Sequence, residues 1–115
     1  MKDVNGVISY KGKELKLVFN LNVMESIQEE YGTISKWTEL TDGISGEPDA
    51  KAVIFGITQM INEGIEIDNE EKYTDVPLMT TKQVGRLLTE YGLQNIMETM
   101  QRTVIDSTKS AEKNA

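Results

Sequence analysis

The chain has 115 residues, of which 38% are hydrophobic and 27% are charged, and its formal net charge is -7. This composition predicts a soluble globular protein with one modest core, and the absence of cysteine excludes disulfides, thiolate chemistry and cysteine-based zinc sites. Histidine is also absent, which removes the commonest general base and transition-metal ligand, and the negative charge disfavours binding to nucleic acid.

Two further features bear on where the protein works. Residues 1–13, MKDVNGVISYKGK, lack the apolar run of a signal peptide. No stretch approaches the roughly 20 apolar residues that a membrane span requires. We therefore expect a cytoplasmic protein with no membrane partner.

Residues 4–20 predict a β-hairpin that turns at Lys11-Gly12. An isolated hairpin is only marginally stable in water, so its apolar face must lie on helices or on a strand of another subunit. The side chains of that face alternate with polar ones and are Ile8, Tyr10, Leu15, Leu17 and Phe19.

A short amphipathic helix is predicted directly after the hairpin. Asn22 can cap it, Glu25 can complete a capping box, and Gly32 can supply the left-handed residue that ends it. The apolar positions recur at helical spacing and are Val23, Met24, Ile27 and Tyr31.

Two more helices are predicted in the middle of the chain. Thr33 can cap a short one that carries Ile34, Trp37 and Leu40. Residues 49–63 predict a longer one that ends before Gly64. Gly56 inside this helix costs about 1 kcal/mol relative to alanine, which indicates that another backbone approaches it or that the helix bends.

The stretch 66–75 is acidic, with five carboxylates against one lysine. We interpret it as a solvated connector, with a docking surface for a basic partner segment as the alternative. A calcium loop of the EF-hand type needs glycine at its sixth position, where Tyr73 stands if Asp68 is the first ligand. The sequence therefore predicts no metal site.

The last two helices complete the predicted fold. Thr80 and Gln83 form a capping box ahead of an apolar stripe that ends at Gly92. The final helix begins at Leu93, and its predicted core-facing stripe is Leu93, Ile96, Met97, Met100 and Val104. Apolar residues vanish beyond Ile105, so we expect a single domain over residues 1–105 and a flexible tail over residues 106–115. The predicted fold class is α+β, mainly α, with an N-terminal hairpin packed on four to five short helices.

Binding is favoured over catalysis. Without histidine and cysteine an enzyme would need carboxylates or a Ser-Lys pair, yet the carboxylates fall on predicted polar helix faces, and no phosphate-binding glycine loop is present. We therefore predict no catalytic residues, no cofactor and no enzyme. Trp37, Leu40 and Met79 are the predicted protein-binding residues, because a partly covered tryptophan is a favoured interface anchor and methionine adapts to varied apolar partners.

The order of motifs also resembles a known family. Phe19, Leu21 and Asn22, then a short acidic helix closing on Tyr31-Gly32, resemble the tail assembly chaperones of long-tailed bacteriophages and prophages, especially those of Gram-positive hosts. The resemblance covers about residues 8–105 and implies a chaperone that binds the tape measure protein in the host cytoplasm and is absent from the mature virion. It further implies homo-oligomers, with the tail tube protein as a second partner.

Two alternatives stay open at this point. One is a structural tail component, such as a tail completion or tube-associated protein. The other, from a different class, is a carboxylate- or metal-dependent hydrolase. Co-purification with the tape measure protein would favour the chaperone, and presence in virions would favour the structural component. Stabilisation by a divalent metal would favour the hydrolase.

Overall fold

The computed structural model describes residues 6–114, with side chains described for residues 6–107. Within that part of the chain, two strands are followed by five helices. They are β1 (Gly6–Tyr10), β2 (Lys13–Leu17), α1 (Leu21–Tyr31), α2 (Ile34–Thr41), α3 (Ala50–Lys72), α4 (Thr81–Tyr91) and α5 (Leu93–Asn114). The predicted fold class is confirmed, since the hairpin packs on a mainly helical body; residues 4 and 5 of the predicted hairpin lie outside the described residues.

The hairpin forms because its turn matches the twist of its strands. Lys11 and Gly12 both have positive φ, 50° and 77°, as a two-residue hairpin turn of this hand requires. The antiparallel register sets Ile8 opposite Leu15. Strand β2 packs on α3 and β1 on α5, so the apolar face lies on helices, the first of the two arrangements that the sequence left open.

Helix α1 begins earlier than its sequence predicts. Asn20, in an extended conformation, accepts a hydrogen bond from the Val23 backbone N–H at 3.2 Å and is the N-cap. The prediction of Asn22 as the cap is wrong, and its amide instead donates to Glu63 at 3.1 Å. Gly32, with φ 92°, ends the helix as predicted.

Helix α3 is longer than predicted, and Gly64 lies inside it. A side chain there would place its Cβ 2.9 Å from the backbone oxygen of Lys16, so this glycine permits strand β2 to lie against the helix. The predicted end at Gly64 is therefore wrong, as is a solvated connector for residues 66–72. The helix ends instead at Tyr73, in the left-handed conformation, and Asp68 pairs with Lys16 at 3.1 Å.

Gly56 makes room for a side chain and not for a backbone. The indole ring of Trp37 occupies the space that a Cβ at Gly56 would need, and its Nε1 donates to the Ala52 carbonyl at 3.0 Å. Trp37 is 2% exposed, so the expectation of a partly covered tryptophan is wrong.

The last helices show one confirmed signal and one departure. Thr80 and Gln83 form the predicted capping box at the start of α4. Leu93, predicted to face the core, is 47% exposed. The backbone of α5 is helical to Asn114, because no glycine or proline stops a helix that is already formed. The flexible tail over residues 106–115 stays a prediction.

One core joins the hairpin to all five helices. Its members come from every described element. The largest fully buried side chains include Ile8, Leu17, Ile27, Trp37, Ile57, Met60, Ile61, Leu87, Ile96 and Met100.

Candidate protein-binding surface

The segment that joins α3 to α4, residues 74–80, belongs to no helix or strand, and we call it the strap. Asn62 holds one end of it: its Nδ2 donates to the Met79 carbonyl at 3.0 Å, and its Oδ1 accepts from the Met79 N–H at 2.8 Å. Asn69 holds Val76 in the same way, with both distances 3.0 Å. Each asparagine therefore pairs with the strap as a neighbouring strand would.

The spacing of these two clamps indicates that the strap is extended between Val76 and Met79. The asparagines lie seven residues apart on α3, which corresponds to about 10.5 Å along a helix axis. Val76 and Met79 lie three residues apart, which corresponds to about 10 Å of extended chain. Because the two lengths match, both clamps close at once only on an extended strap.

Large apolar side chains are exposed on and beside the strap. Val76 is 52% exposed, Leu78 is 46% exposed and Tyr73, which ends α3, is 94% exposed. Clusters of exposed apolar side chains in a soluble protein mark interaction sites more often than isolated ones do. The clamps hold the backbone at Val76 and Met79, on either side of Leu78.

Openings of opposite charge lie beside the strap. The first, of about 330 Å³, lies against the hairpin and is lined by strap residues together with Lys11 and Lys13. The second, of about 450 Å³, is lined by Leu78 together with Glu25, Glu63 and Glu66. The apolar strap is thus bordered by lysines at one opening and by glutamates at the other.

A separate apolar cleft lies between α2 and α5. Its volume is about 260 Å³, and Trp37 and Ile44 are among its lining residues. Ile44 is 86% exposed on a loop that Asp42 holds, since its Oδ1 accepts the Ile44 and Ser45 N–H groups at 2.9 and 3.0 Å. These hydrogen bonds, from Ser45 first and then from Ile44, lower the pKa of Asp42.

The three predicted protein-binding residues do not share one site. Met79 lies in the strap and is half-buried, while Trp37 is buried beside the α2–α5 cleft. Leu40 is half-buried against the core. Sequence reasoning missed Val76 and Leu78, although a pair of asparagines two turns apart ahead of an apolar extended stretch was a usable signal.

The described part of the chain has no group of three or more acidic side chains placed to hold a metal ion. Its helices lack the combination of length and apolarity that crossing a bilayer requires. Comparison with known proteins returns no relatives: no protein-family model, no curated protein and no solved structure matches the chain.

Proposed function

We propose that this protein is a non-enzymatic chaperone of phage tail assembly, which binds the tape measure protein in the host cytoplasm and is not retained in the virion. The observation that carries the proposal is the strap. Its backbone is fixed by Asn62 and Asn69 while Val76 and Leu78 stay exposed. A surface ordered in advance binds a polypeptide without a further ordering cost.

The charges around the strap suit a helical partner. An amphipathic helix carries an apolar stripe with charged residues along both margins. Such a helix could place its stripe on the strap, basic residues toward Glu63 and Glu66, and acidic residues toward Lys11 and Lys13. A long helix-rich protein such as a tape measure offers many segments of this kind.

The residues of the family resemblance support the proposal in two different ways. Phe19 is 6% exposed, and Tyr31 packs its ring edge-on against Phe55 with centroids 5.8 Å apart, so both build the fold. Leu21 is 77% exposed and is free to contact a partner. We include self-association and contact with the tail tube protein in the proposal as secondary expectations.

Co-expression with the tape measure protein encoded downstream tests the proposal. The soluble fraction of the tape measure protein should rise when the chain is present. The double variant Val76→Ser and Leu78→Ser should weaken the association by about tenfold or more, because two large apolar side chains leave the contact.

The matched control is Ile44→Ser, which removes an even more exposed apolar side chain, 86% against 52% for Val76 and 46% for Leu78, from a loop away from the strap. It should leave the association unchanged. If the wild-type chain fails to keep the tape measure protein soluble, the proposal is wrong. Recovery of the chain in mature virions would favour a structural tail component instead.

A further inference from the structure

Gly85 lies in the interior of α4, where glycine is disfavoured relative to alanine. The glycines inside α3 have a structural reason, since the Trp37 ring fills the side-chain space at Gly56 and the Lys16 carbonyl approaches Gly64. At Gly85 an added Cβ would meet only Ile54 Cδ1, at an ordinary 3.6 Å. Packing among the described residues therefore does not require glycine at this position.

The same glycine lines an apolar groove between α3 and α4. Two adjoining cavities of about 520 and 370 Å³ form the groove, and both are lined by Ile54 and Gly85. The walls include Phe55 at one end and Leu88 and Leu93 at the other. Leu93 is the residue that the sequence placed in the core and that the structure leaves 47% exposed.

One end of the groove is positively charged. Lys51 and Lys82 both line it. Lys51 lies 3.6 Å from Glu30, whereas Lys82 has no ion pair among the described side chains. Helix α4 has no acidic residue in its first turn, so the positive end of its dipole adds to the lysines. A negatively charged group is therefore favoured at this end.

We propose that the groove between α3 and α4 binds an amphipathic α-helix of another polypeptide, with a small residue over Gly85 and an acidic residue beside Lys82. A helix lying on two packed helices approaches to 8–10 Å between axes, and the missing side chain at Gly85 permits the close end of that range. The apolar stripe of the partner fills the groove, and its carboxylate meets the free lysine. This surface is distinct from the strap and does not depend on the chaperone function.

A displayed library of helical peptides tests the proposal. Peptides selected on the wild-type chain should be enriched in aspartate or glutamate near one end and in glycine, alanine or serine at the centre. Their affinity should fall by about tenfold or more for Gly85→Leu, which fills the groove, and for Lys82→Glu, which reverses the charge. The control Ile44→Ser should bind them as the wild type does.

Selected peptides that bind Gly85→Leu and Lys82→Glu as tightly as the wild type would overturn the proposal, and so would a selection with no enrichment. Peptides that lose affinity for Ile44→Ser would also contradict it, because they would occupy the α2–α5 cleft. Thermal melting checks that Gly85→Leu is folded. If that variant is unfolded, the affinity of the selected peptides for Lys82→Glu decides the question. An affinity equal to that of the wild type would then show that the groove is not their binding site.

Discussion

Replacing each of three helix-interior glycines by alanine is a direct test of the packing described above. Gly56, Gly64 and Gly85 lie inside α3 or α4, so alanine should add about 1 kcal/mol of helix stability at each position. Because this gain is common to all three variants, the difference between them measures only what the new methyl group meets.

The expected differences follow from the neighbours of each glycine. At Gly64 the methyl group would lie 2.9 Å from the Lys16 backbone oxygen, which strand pairing holds in place. At Gly56 it would collide with the Trp37 ring. Overpacking of this kind costs about 1–3 kcal/mol, which exceeds or cancels the gain in helix stability. The free energy of unfolding should therefore fall by about 0–2 kcal/mol in both variants, whereas it should rise by about 1 kcal/mol in Gly85→Ala.

Urea unfolding followed by circular dichroism measures the free energy of unfolding of each variant. The order of these free energies is the decisive result. Gly85→Ala should have a higher free energy of unfolding than the wild type, whereas the values of Gly56→Ala and Gly64→Ala should equal the wild-type value or lie below it. Equal shifts for the three variants within about 0.5 kcal/mol would refute the packing argument, since helix propensity alone would then account for the data.

Three further substitutions test other parts of the structure. Asn62→Ala removes both hydrogen bonds to Met79 and should lower the free energy of unfolding by about 1–3 kcal/mol; hydrogen exchange should show the Met79 amide exchanging faster than in the wild type. Trp37→Phe leaves a cavity and removes the hydrogen bond that the indole donates to the Ala52 carbonyl, and a loss below about 1 kcal/mol in urea unfolding would contradict the burial of the indole. Burial, followed by the nearby carboxylates, raises the pKa of Tyr31 above 10.0, so the stability it contributes is complete below pH 10.0 and is lost as the pH rises through the folded pKa. The melting temperature should therefore fall less steeply above pH 10.0 in Tyr31→Phe, and identical slopes would argue against the raised pKa.

Local signals in the sequence were sufficient where a feature depends on neighbouring residues only. The Thr33 cap, the Thr80–Gln83 capping box and the turn at Lys11-Gly12 were all predicted and are all present. Each rests on hydrogen bonds or backbone angles within a few residues, so the amino-acid types alone determine it.

The candidate surface was only partly predictable. Met79 was predicted to be a binding residue, but the strap that holds it depends on Asn62 and Asn69, which lie on α3. The sequence placed Asn62 in the predicted helix 49–63 but Asn69 in the solvated connector, because Gly64 was interpreted as a helix end. With the helix ended too early, the two asparagines could not be placed on one face, and the clamp could not be predicted.

The sequence by itself determined the class of fold, the hairpin and most helix starts, because alternation, helical periodicity and caps are properties of short segments. Only the tertiary structure decided what each glycine does. Glycine suits a helix end with positive φ, as at Gly32, and equally a close contact, as at Gly64. Which of these two roles a glycine has depends on whether a distant part of the chain packs against it. Strand β2 packs at Gly64 and the Trp37 ring packs at Gly56, and both are far from these glycines in the sequence.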